Sequence, residues 1–466
     1  MRYGLLNSTV RGDLFHLTPN NSSVTVSNGA IEGPSETWRA SCDLTWISVT
    51  KSTTVLRSVE YSSPTLTSDS GAGGLVTDGL YQGEGVLYSR FMVKVAINGF
   101  GRIGRLALRV GLLKHPNEMT FTAVNTSGSM EVEGWAHLVN QDTTYRQFAI
   151  TVAAERVKKA KEATDADPLI GYLTVPSMGL KIPVLAQKDP EKLPWGKYGV
   201  EVVIESTGKF TDEEGAAKHA RAGAKRVVIS APAKGGNVGT YVIGVNDVKQ
   251  GATVISNASC TTNCVTPVAA VIHSKFGIAK AMMTTVHAYT DDQVLQDGSH
   301  KDLRRGRAAA MNIVPTSTGA AIATTEVIPE LKGLFDGISL RVPVITGSIT
   351  DFTFVVKTKT DREQINKALT DATQNPVYKG ILGVSGVDGV PEYLVSSDIV
   401  GSSYSAIVDP EFTQVIDGDL VKVLAWYDNE WGYTNRLVEQ VIRVGHALDQ
   451  DVAISDPITT ALAKVD

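Results

Sequence analysis

The sequence predicts two folded parts in succession, an α/β part and then an α+β part, preceded by a stretch of different character. Three observations carry this. From Met92 to about residue 259, short apolar runs alternate with helical patterns, which indicates a mostly parallel sheet. Beyond residue 260 the apolar runs lengthen and fewer helices separate them. Residues 1–91 hold neither a 3.6 nor a 2.0 period, and about a quarter of them are Ser or Thr.

Totals bound the rest. The chain has 466 residues, enough for two or three domains. Its 44 basic and 49 acidic residues give a net charge of −5, so no basic excess points to nucleic acid or an anionic membrane surface. Three cysteines, at 42, 260 and 264, make no disulfide framework and fit a reducing, cytoplasmic setting. No apolar run approaches the ~20 residues of a membrane span, and no metal site is expected.

In chain order, residues 1–91 read as disordered or weakly ordered, with Leu44–Val49 a possible isolated strand. Their acids, among them Asp13, Glu32 and Glu84, argue against a transit peptide. The functional protein is expected to begin at Met92. Val93–Ile97 is a buried strand, Asn98-Gly99-Phe100-Gly101-Arg102-Ile103-Gly104 a glycine-rich turn, and Ile103, Leu106, Ala107, Val110 and Leu113 repeat at helical spacing. Strand, GxGxxG and helix in that order form the Rossmann dinucleotide-binding fingerprint, whose glycines let backbone approach a pyrophosphate at the helix start. Thr120–Val124 is the second strand, where a ribose contact belongs. Residues 152–166 read as a short, charged, exposed helix. Strands follow at Val200–Glu205, Arg226–Ser230 and Tyr241–Val245, with a helix over Asp212–Ala222.

Next comes Ser259-Cys260-Thr261, between the apolar run Thr253–Ile255 and a helix over Val265–Phe276. A thiol at a helix start is favoured as thiolate by the partial positive charge there. The second part carries strands Ala281–His287, Ser339–Val344, Thr350–Lys357 and Leu420–Trp426, helices Thr318–Leu331 and Asp361–Thr373, and a last amphipathic helix over Thr434–Leu448. The expected domains are residues 92–259 together with the C-terminal helix 434–466, and residues 260–433.

Several of these stretches occur together in one family. Ile97–Arg105, Ser259–Cys264, Thr285–Thr290, Pro315–Gly319, Leu340–Pro343 and Trp426–Tyr433, in that order, resemble phosphorylating glyceraldehyde-3-phosphate dehydrogenases. The resemblance covers residues 92–466. It implies a homotetramer that oxidises glyceraldehyde 3-phosphate, with inorganic phosphate, through a thiohemiacetal and a thioester on Cys260. His287, 27 residues on, would polarise the thiol and act as general base and then acid. A sister activity on erythrose 4-phosphate and a non-catalytic binding protein on the same fold are the alternatives. Cys264 is read as packing, and residues 152–166 as a surface insertion.

The resemblance assigns Ser259, Thr261, Thr318 and Gly319 to one anion site, and Thr290, Asp292 and Arg341 to another, with Asp292 orienting Arg341 or a hydroxyl. Asn429 would hold the nicotinamide carboxamide. Asn98, Gly99, Gly101, Arg102, Ile103, Gly104, Thr126, Ser127, Lys188, Thr207, Gly208, Ser230, Ser299 and Tyr433 complete the implied cofactor contacts. NAD-preferring relatives carry an Asp after the second strand, where this chain has Thr126, and Leu-Pro where it has Gly298-Ser299. A carboxylate would repel the extra phosphate of NADP and hydroxyls could donate to it. The expectation is an enzyme that takes NADP, alone or beside NAD, with Thr126 and Ser299 as donors and Arg102 as a charge partner.

Overall fold

The structure is a computed structural model that describes strand residues within 17–62 and the continuous stretch 92–455, with side chains for residues 92–448. Within the extension, β1 (Leu17–Asn20) and β2 (Ser23–Val26) form a hairpin, and β3 (Thr37–Cys42), β4 (Thr45–Ser52) and β5 (Val55–Ser62) form a three-stranded antiparallel sheet. The stretch expected as an isolated strand therefore lies mostly in β4 and is paired on both edges. The weak order expected for the rest of residues 1–91 falls outside the described residues.

A nine-stranded sheet begins at β6 (Val93–Asn98), whose core-facing residues are fully buried valine, alanine and isoleucine. The helix α1 (Arg102–Lys114) follows, then β7 (Met119–Thr126) and α2 (Val132–Asn140). Residues 153–156 form an edge strand, β8, paired antiparallel with β9 (Leu169–Val175), which pairs antiparallel with β10 (Leu180–Ala186). The helix expected over 152–166 is thus corrected. Its Ala-Glu-Lys composition favours helix, but pairing to β9 overrides that propensity, and only the short 3₁₀ turn Ala160–Glu162 is helical. β11 (Val202–Glu205), α3 (Glu213–Arg221, capped by Asp212), β12 (Arg226–Ile229), β13 (Gly239–Thr240) and β14 (Val254–Ser256) complete the sheet. The strand expected at Tyr241–Val245 is also corrected. Tyr241, Val242 and Ile243 are buried, but the stretch forms a turn, with Gly244 at φ 85° and the Val245 N–H donating to the Val242 carbonyl.

From β6 the chain goes to β7 on one side and later to β11 on the other, all parallel. The sheet's topological switch point therefore lies between β6 and β11, where a crevice opens at the strands' carboxyl ends. Gly99 at φ 97° makes the turn there; a Cβ on it would sit 2.6 Å from the Thr207 nitrogen. Gly104 lets α1 pack on that turn, since a Cβ there would meet the Gly99 carbonyl at 2.2 Å.

The second sheet has seven strands in the order β16-β17-β15-β18-β21-β20-β19, namely Val314–Ser317, Phe335–Val342, Ile278–Ala288, Ser348–Val356, Leu420–Tyr427, Ala406–Ile416 and Leu382–Val384. The helices α4 (Cys260–Phe276), α5 (Ala320–Val327) and α6 (Arg362–Thr373) share one core with it. The last helix, α7 (Trp431–Ser455), returns to the first sheet. Its Tyr433, Leu437, Val438, Val441 and Val444 join that core, packing near α1.

Candidate active site

α4 starts at Cys260. The residue before its cap, Ala258, has φ 57°, and its carbonyl accepts from the Tyr433 hydroxyl at 3.1 Å. Ser259 caps the helix: its Oγ accepts the Thr262 N–H at 3.0 Å. This turn aims the sulfur at β15, where His287 Nε2 lies 3.4 Å from Cys260 Sγ. β15 and β17 run parallel with His287 directly opposite Arg341. Register thus sets the third member of the cluster.

His287 Nδ1 is 2.6 Å from the Ala288 carbonyl. That oxygen can only accept, so the network assigns the proton to Nδ1 and leaves Nε2 to accept from the thiol. Arg341 Nη1 lies 2.9 Å from the same Nδ1, and with that tautomer it donates to the Ala288 carbonyl (3.2 Å) and Thr290 Oγ1 (3.4 Å) instead. Burial, and then the Arg341 charge, push the His287 pKa down to about 3. Burial raises the Cys260 thiol, with Arg341 opposing it. Burial thus favours the uncharged form of both groups, while Arg341 favours charge on the sulfur; Nε2 stands where it can take the thiol proton as a bond forms at sulfur.

Beneath the sulfur, Thr261 Oγ1, the Tyr427 hydroxyl and Thr285 Oγ1 form a buried chain with 2.8 Å links. Sequence reasoning missed the roles of Tyr427, at the end of β21, and Thr285, on β15; their strand patterns carry no sign of the link between them. Cys264 is buried against the Ala425 carbonyl, and burial raises its thiol far above the ordinary value.

Asn429 is 6 % exposed, and its Oδ1 accepts from Ser348 Oγ (2.9 Å), Thr346 Oγ1 (3.2 Å) and the Gly347 N–H (3.3 Å). Three donors fix the amide's orientation, so its NH2 is the group left to donate. Arg341 keeps a buried Nε with no hydrogen-bond partner. Thr318 Oγ1 accepts the Ala320 N–H at 3.2 Å, and Gly319 caps α5 exposed.

At the crevice, Gly101 caps α1 without a side-chain hydrogen bond, and a Cβ on it would meet nothing within 4 Å. The helix start is thus open to an anion, as a pyrophosphate requires. Gly208, at φ 70°, and the half-buried Ile103 and Ser230 lie on the same turns and strand ends. Asn98 is buried, donating to Glu205 Oε2 (2.6 Å) and accepting from Asn125 (2.7 Å). Glu205 also accepts from Thr207 and pairs with His219 at 2.9 Å, which in turn accepts from Trp195. Asn98 and Thr207 therefore support the turn from beneath. Glu205, His219 and Trp195, in separate segments, gave no sequence signal.

Several expected contacts are corrected. Thr126 Oγ1 donates to the Leu185 carbonyl (3.0 Å) and accepts from the Gly128 N–H (3.2 Å), with only 2 % of the residue exposed. It serves the sheet and cannot be the free phosphate donor; the exposed hydroxyls there are Ser127 and Ser129, bonded at 2.9 Å, and Lys188 is exposed on the next strand end. Arg102 is committed to Glu430 and Asp142, so it is no free charge partner. Asp292 pairs with Arg305 rather than Arg341. The Tyr433 hydroxyl donates to the Ala258 carbonyl at the Cys260 turn. The expectation for Ser299 is not among the corrected ones: it lies exposed on the loop after β15 with its hydroxyl unpaired among the described residues.

Comparison with known proteins bears on both halves. Residues 93–213 match the family described as glyceraldehyde 3-phosphate dehydrogenase, NAD binding domain, and residues 259–429 match its C-terminal domain. The chain is 48% identical over 351 residues to glyceraldehyde-3-phosphate dehydrogenase 2 of Trichormus variabilis, covering 75% of this chain and 97% of that one. It is 47% identical to the chloroplastic glyceraldehyde-3-phosphate dehydrogenase B of Pisum sativum, over 74% of this chain and 73% of that one. It is 46% identical to the enzyme of Streptomyces coelicolor, over 76% and 99%. Matches to both domains, carried along nearly the whole length of two such relatives, mean that this chain belongs to the glyceraldehyde-3-phosphate dehydrogenase family.

Proposed function

We propose that this protein catalyses the reversible, phosphorylating oxidation of glyceraldehyde 3-phosphate to 1,3-bisphosphoglycerate. The observation that carries the reading is the 3.4 Å approach of Cys260 Sγ to His287 Nε2 beside Arg341. As Cys260 attacks the aldehyde carbon, Nε2 takes the thiol proton and passes it to the carbonyl oxygen, so that the sulfur–carbon bond gives a thiohemiacetal and the imidazole is neutral again. Bound NAD or NADP supplies the hydride acceptor. His287 removes the hydroxyl proton as the carbon–oxygen double bond of the thioester forms. Inorganic phosphate then attacks the thioester carbon, the carbon–sulfur bond breaks, and His287 returns its proton to the leaving sulfur.

Arg341, with its unpartnered Nε, together with Thr290 suits one anion, and Thr318, Gly319 and the start of α4 suit the other. The NH2 of Asn429 suits a carboxamide oxygen, and the open α1 start suits the pyrophosphate. Ser127, Ser129 and Lys188 favour acceptance of NADP beside NAD: two hydroxyls and a cation stand where a carboxylate would repel a phosphate.

Assembly into a homotetramer is supported by Leu295, Leu303, Met311 and Ile313, all more than 60% exposed (82%, 85%, 80% and 66%). A cytoplasmic setting is supported by the free thiols of Cys260 and Cys264, and no helix among the described residues is long and apolar enough to cross a membrane. The test is cofactor reduction by purified protein with glyceraldehyde 3-phosphate, with and without phosphate, using NAD and NADP separately and erythrose 4-phosphate as the rival aldehyde. Phosphate-dependent reduction with the triose is expected. Turnover restricted to erythrose 4-phosphate, or none, overturns the reading. NADP use below about a hundredth of NAD use, a gap of roughly 2.7 kcal/mol, overturns the part played by Ser127 and Ser129.

A further inference from the structure

Asn429 is flanked by two acids that reach across to the first sheet's domain. Glu430 accepts from Arg102 Nε and Nη2, the latter at 2.6 Å, and Arg102 Nη1 also donates to Asp142 at 3.0 Å. Arg102 is the first residue of α1, directly after Gly101. On the other side, Asp428 accepts from the Tyr145 hydroxyl at 2.8 and 3.1 Å. Asp428 also accepts from Thr346, the Gly401 N–H and the N–H groups of Glu430 and Trp431. The Tyr145 hydroxyl accepts from the Trp431 N–H at 3.2 Å, and the two rings lie 5.4 Å apart. Asp428 and Asn429 are almost wholly buried. No step of the proposed reaction uses either acid.

We propose that Glu430 and Asp428 are positioning residues, a two-sided clamp that sets the reach from the glycine-rich turn to the Asn429 amide. The proposal rests on the functional reading above, in which the turn and Asn429 hold opposite ends of one dinucleotide. Phosphates held at α1 and a carboxamide held at Asn429 leave the nicotinamide ring no slack if those two points are fixed to each other. Hydride transfer needs the reacting carbons within about 3.5 Å and aligned, and a misplacement of about 1 Å can cost about 10²-fold. Arg102–Glu430 ties the first point to the residue after Asn429. Tyr145–Asp428 ties the same domain to the residue before it.

The test uses the full chain and the variants Glu430→Gln and Tyr145→Phe. Three quantities are measured: kcat and KM for cofactor reduction, the Kd of ADP-ribose (the cofactor lacking nicotinamide), and the rate at which iodoacetamide alkylates Cys260. Loosening the clamp should lower kcat about tenfold in Glu430→Gln and about threefold in Tyr145→Phe. ADP-ribose affinity and the alkylation rate should stay within about twofold of wild type, since the first reports the phosphate end alone and the second the nucleophile alone. A kcat unchanged in both variants overturns the proposal. So does a kcat loss matched by equal losses in ADP-ribose affinity or thiol reactivity, which a merely structural role would give. Tyr145→Phe removes a single oxygen atom and decides the matter if Glu430→Gln does not fold. A wild-type protein without turnover overturns the functional reading itself, an outcome distinct from a wild type that turns over beside unaffected variants.

Discussion

The two strand-to-helix turns of this molecule, β6 into α1 and β14 into α4, share one plan and put it to opposite uses. Each strand is followed by a residue at positive φ, Gly99 at 97° and Ala258 at 57°, and then by a helix start. At α1 the cap is Gly101, which offers no side chain to the first backbone N–H groups. Those donors stay open, and an anion can complete them. At α4 the cap is Ser259, whose hydroxyl takes the Thr262 N–H and pairs with Thr262 Oγ1 at 2.7 Å. That cap satisfies the Thr262 N–H alone, and the turn presents the Cys260 sulfur beside what remains of the helix start. Much of the difference between a binding turn and a nucleophile turn comes down to glycine or serine at the cap.

The largest effects should come from the second turn. Cys260→Ser replaces sulfur by a poorer nucleophile and should cut turnover by roughly 10³-fold or more, while dinucleotide binding at the first turn is kept. A serine variant with substantial activity would place the nucleophile elsewhere. His287→Asn should slow turnover roughly 10²–10⁴-fold, read as kcat/KM with phosphate saturating.

His287 also makes a pH prediction. Its folded pKa is depressed to about 3 by burial and by Arg341. The unfolded chain therefore binds more protons between that value and about 6.5, and the native state loses stability as pH falls through this window. In Cys260→Ala, where no thiol couples to the ring, the His287 NMR resonance should not titrate between pH 5 and 8. A midpoint near 6.5 would show that the ring is solvated and that the geometry at β15 is wrong.

The first turn should respond to bulk rather than chemistry. Gly99→Ala forces an L residue into a left-handed conformation, costing about 1–2 kcal/mol, and sets a Cβ 2.6 Å from the Thr207 nitrogen. Both stability and dinucleotide affinity should fall. Gly101→Ala meets nothing within 4 Å, so its melting temperature should hold while its dinucleotide Kd rises, because the added methyl stands where a pyrophosphate approaches. Equal losses for the two variants in thermal melts would erase the distinction between a folding glycine and a binding glycine.

Legibility in the sequence follows the same division. Both turns could be read because each is a run of consecutive residues whose order is its geometry. The Cys260–His287 pair came from resemblance, and His287–Arg341 needed the parallel β15–β17 register, which no local pattern encodes. The corrected contacts share a cause: packing removes the freedom that a hydroxyl or charge has in the sequence alone. Thr126 is taken by Leu185, Arg102 by Glu430 and Asp142, and Asp292 by Arg305. The edge strand β8 is not legible locally because its pairing partner β9 lies beyond a loop, while its own residues favour helix.

The smallest predicted effects test the cap itself. Ser259→Ala leaves the Thr262 N–H without its acceptor and should cost about 1 kcal/mol, seen as a lower denaturant midpoint at unchanged slope. The same change makes the α4 start resemble that of α1, with open donors beside Cys260, so inorganic phosphate should bind the variant no more weakly than it binds the wild type. Ala258→Gly acts at the residue before. It relieves an αL conformation that costs a non-glycine about 1–2 kcal/mol, against about 0.5–1 kcal/mol of added backbone entropy in the unfolded chain. The net should be a gain below about 1 kcal/mol. If Ala258→Gly instead destabilises the protein by more than that, the positive φ at 258 is not strain the fold carries for the sake of the thiol, and the parallel between the two turns ends at their outline.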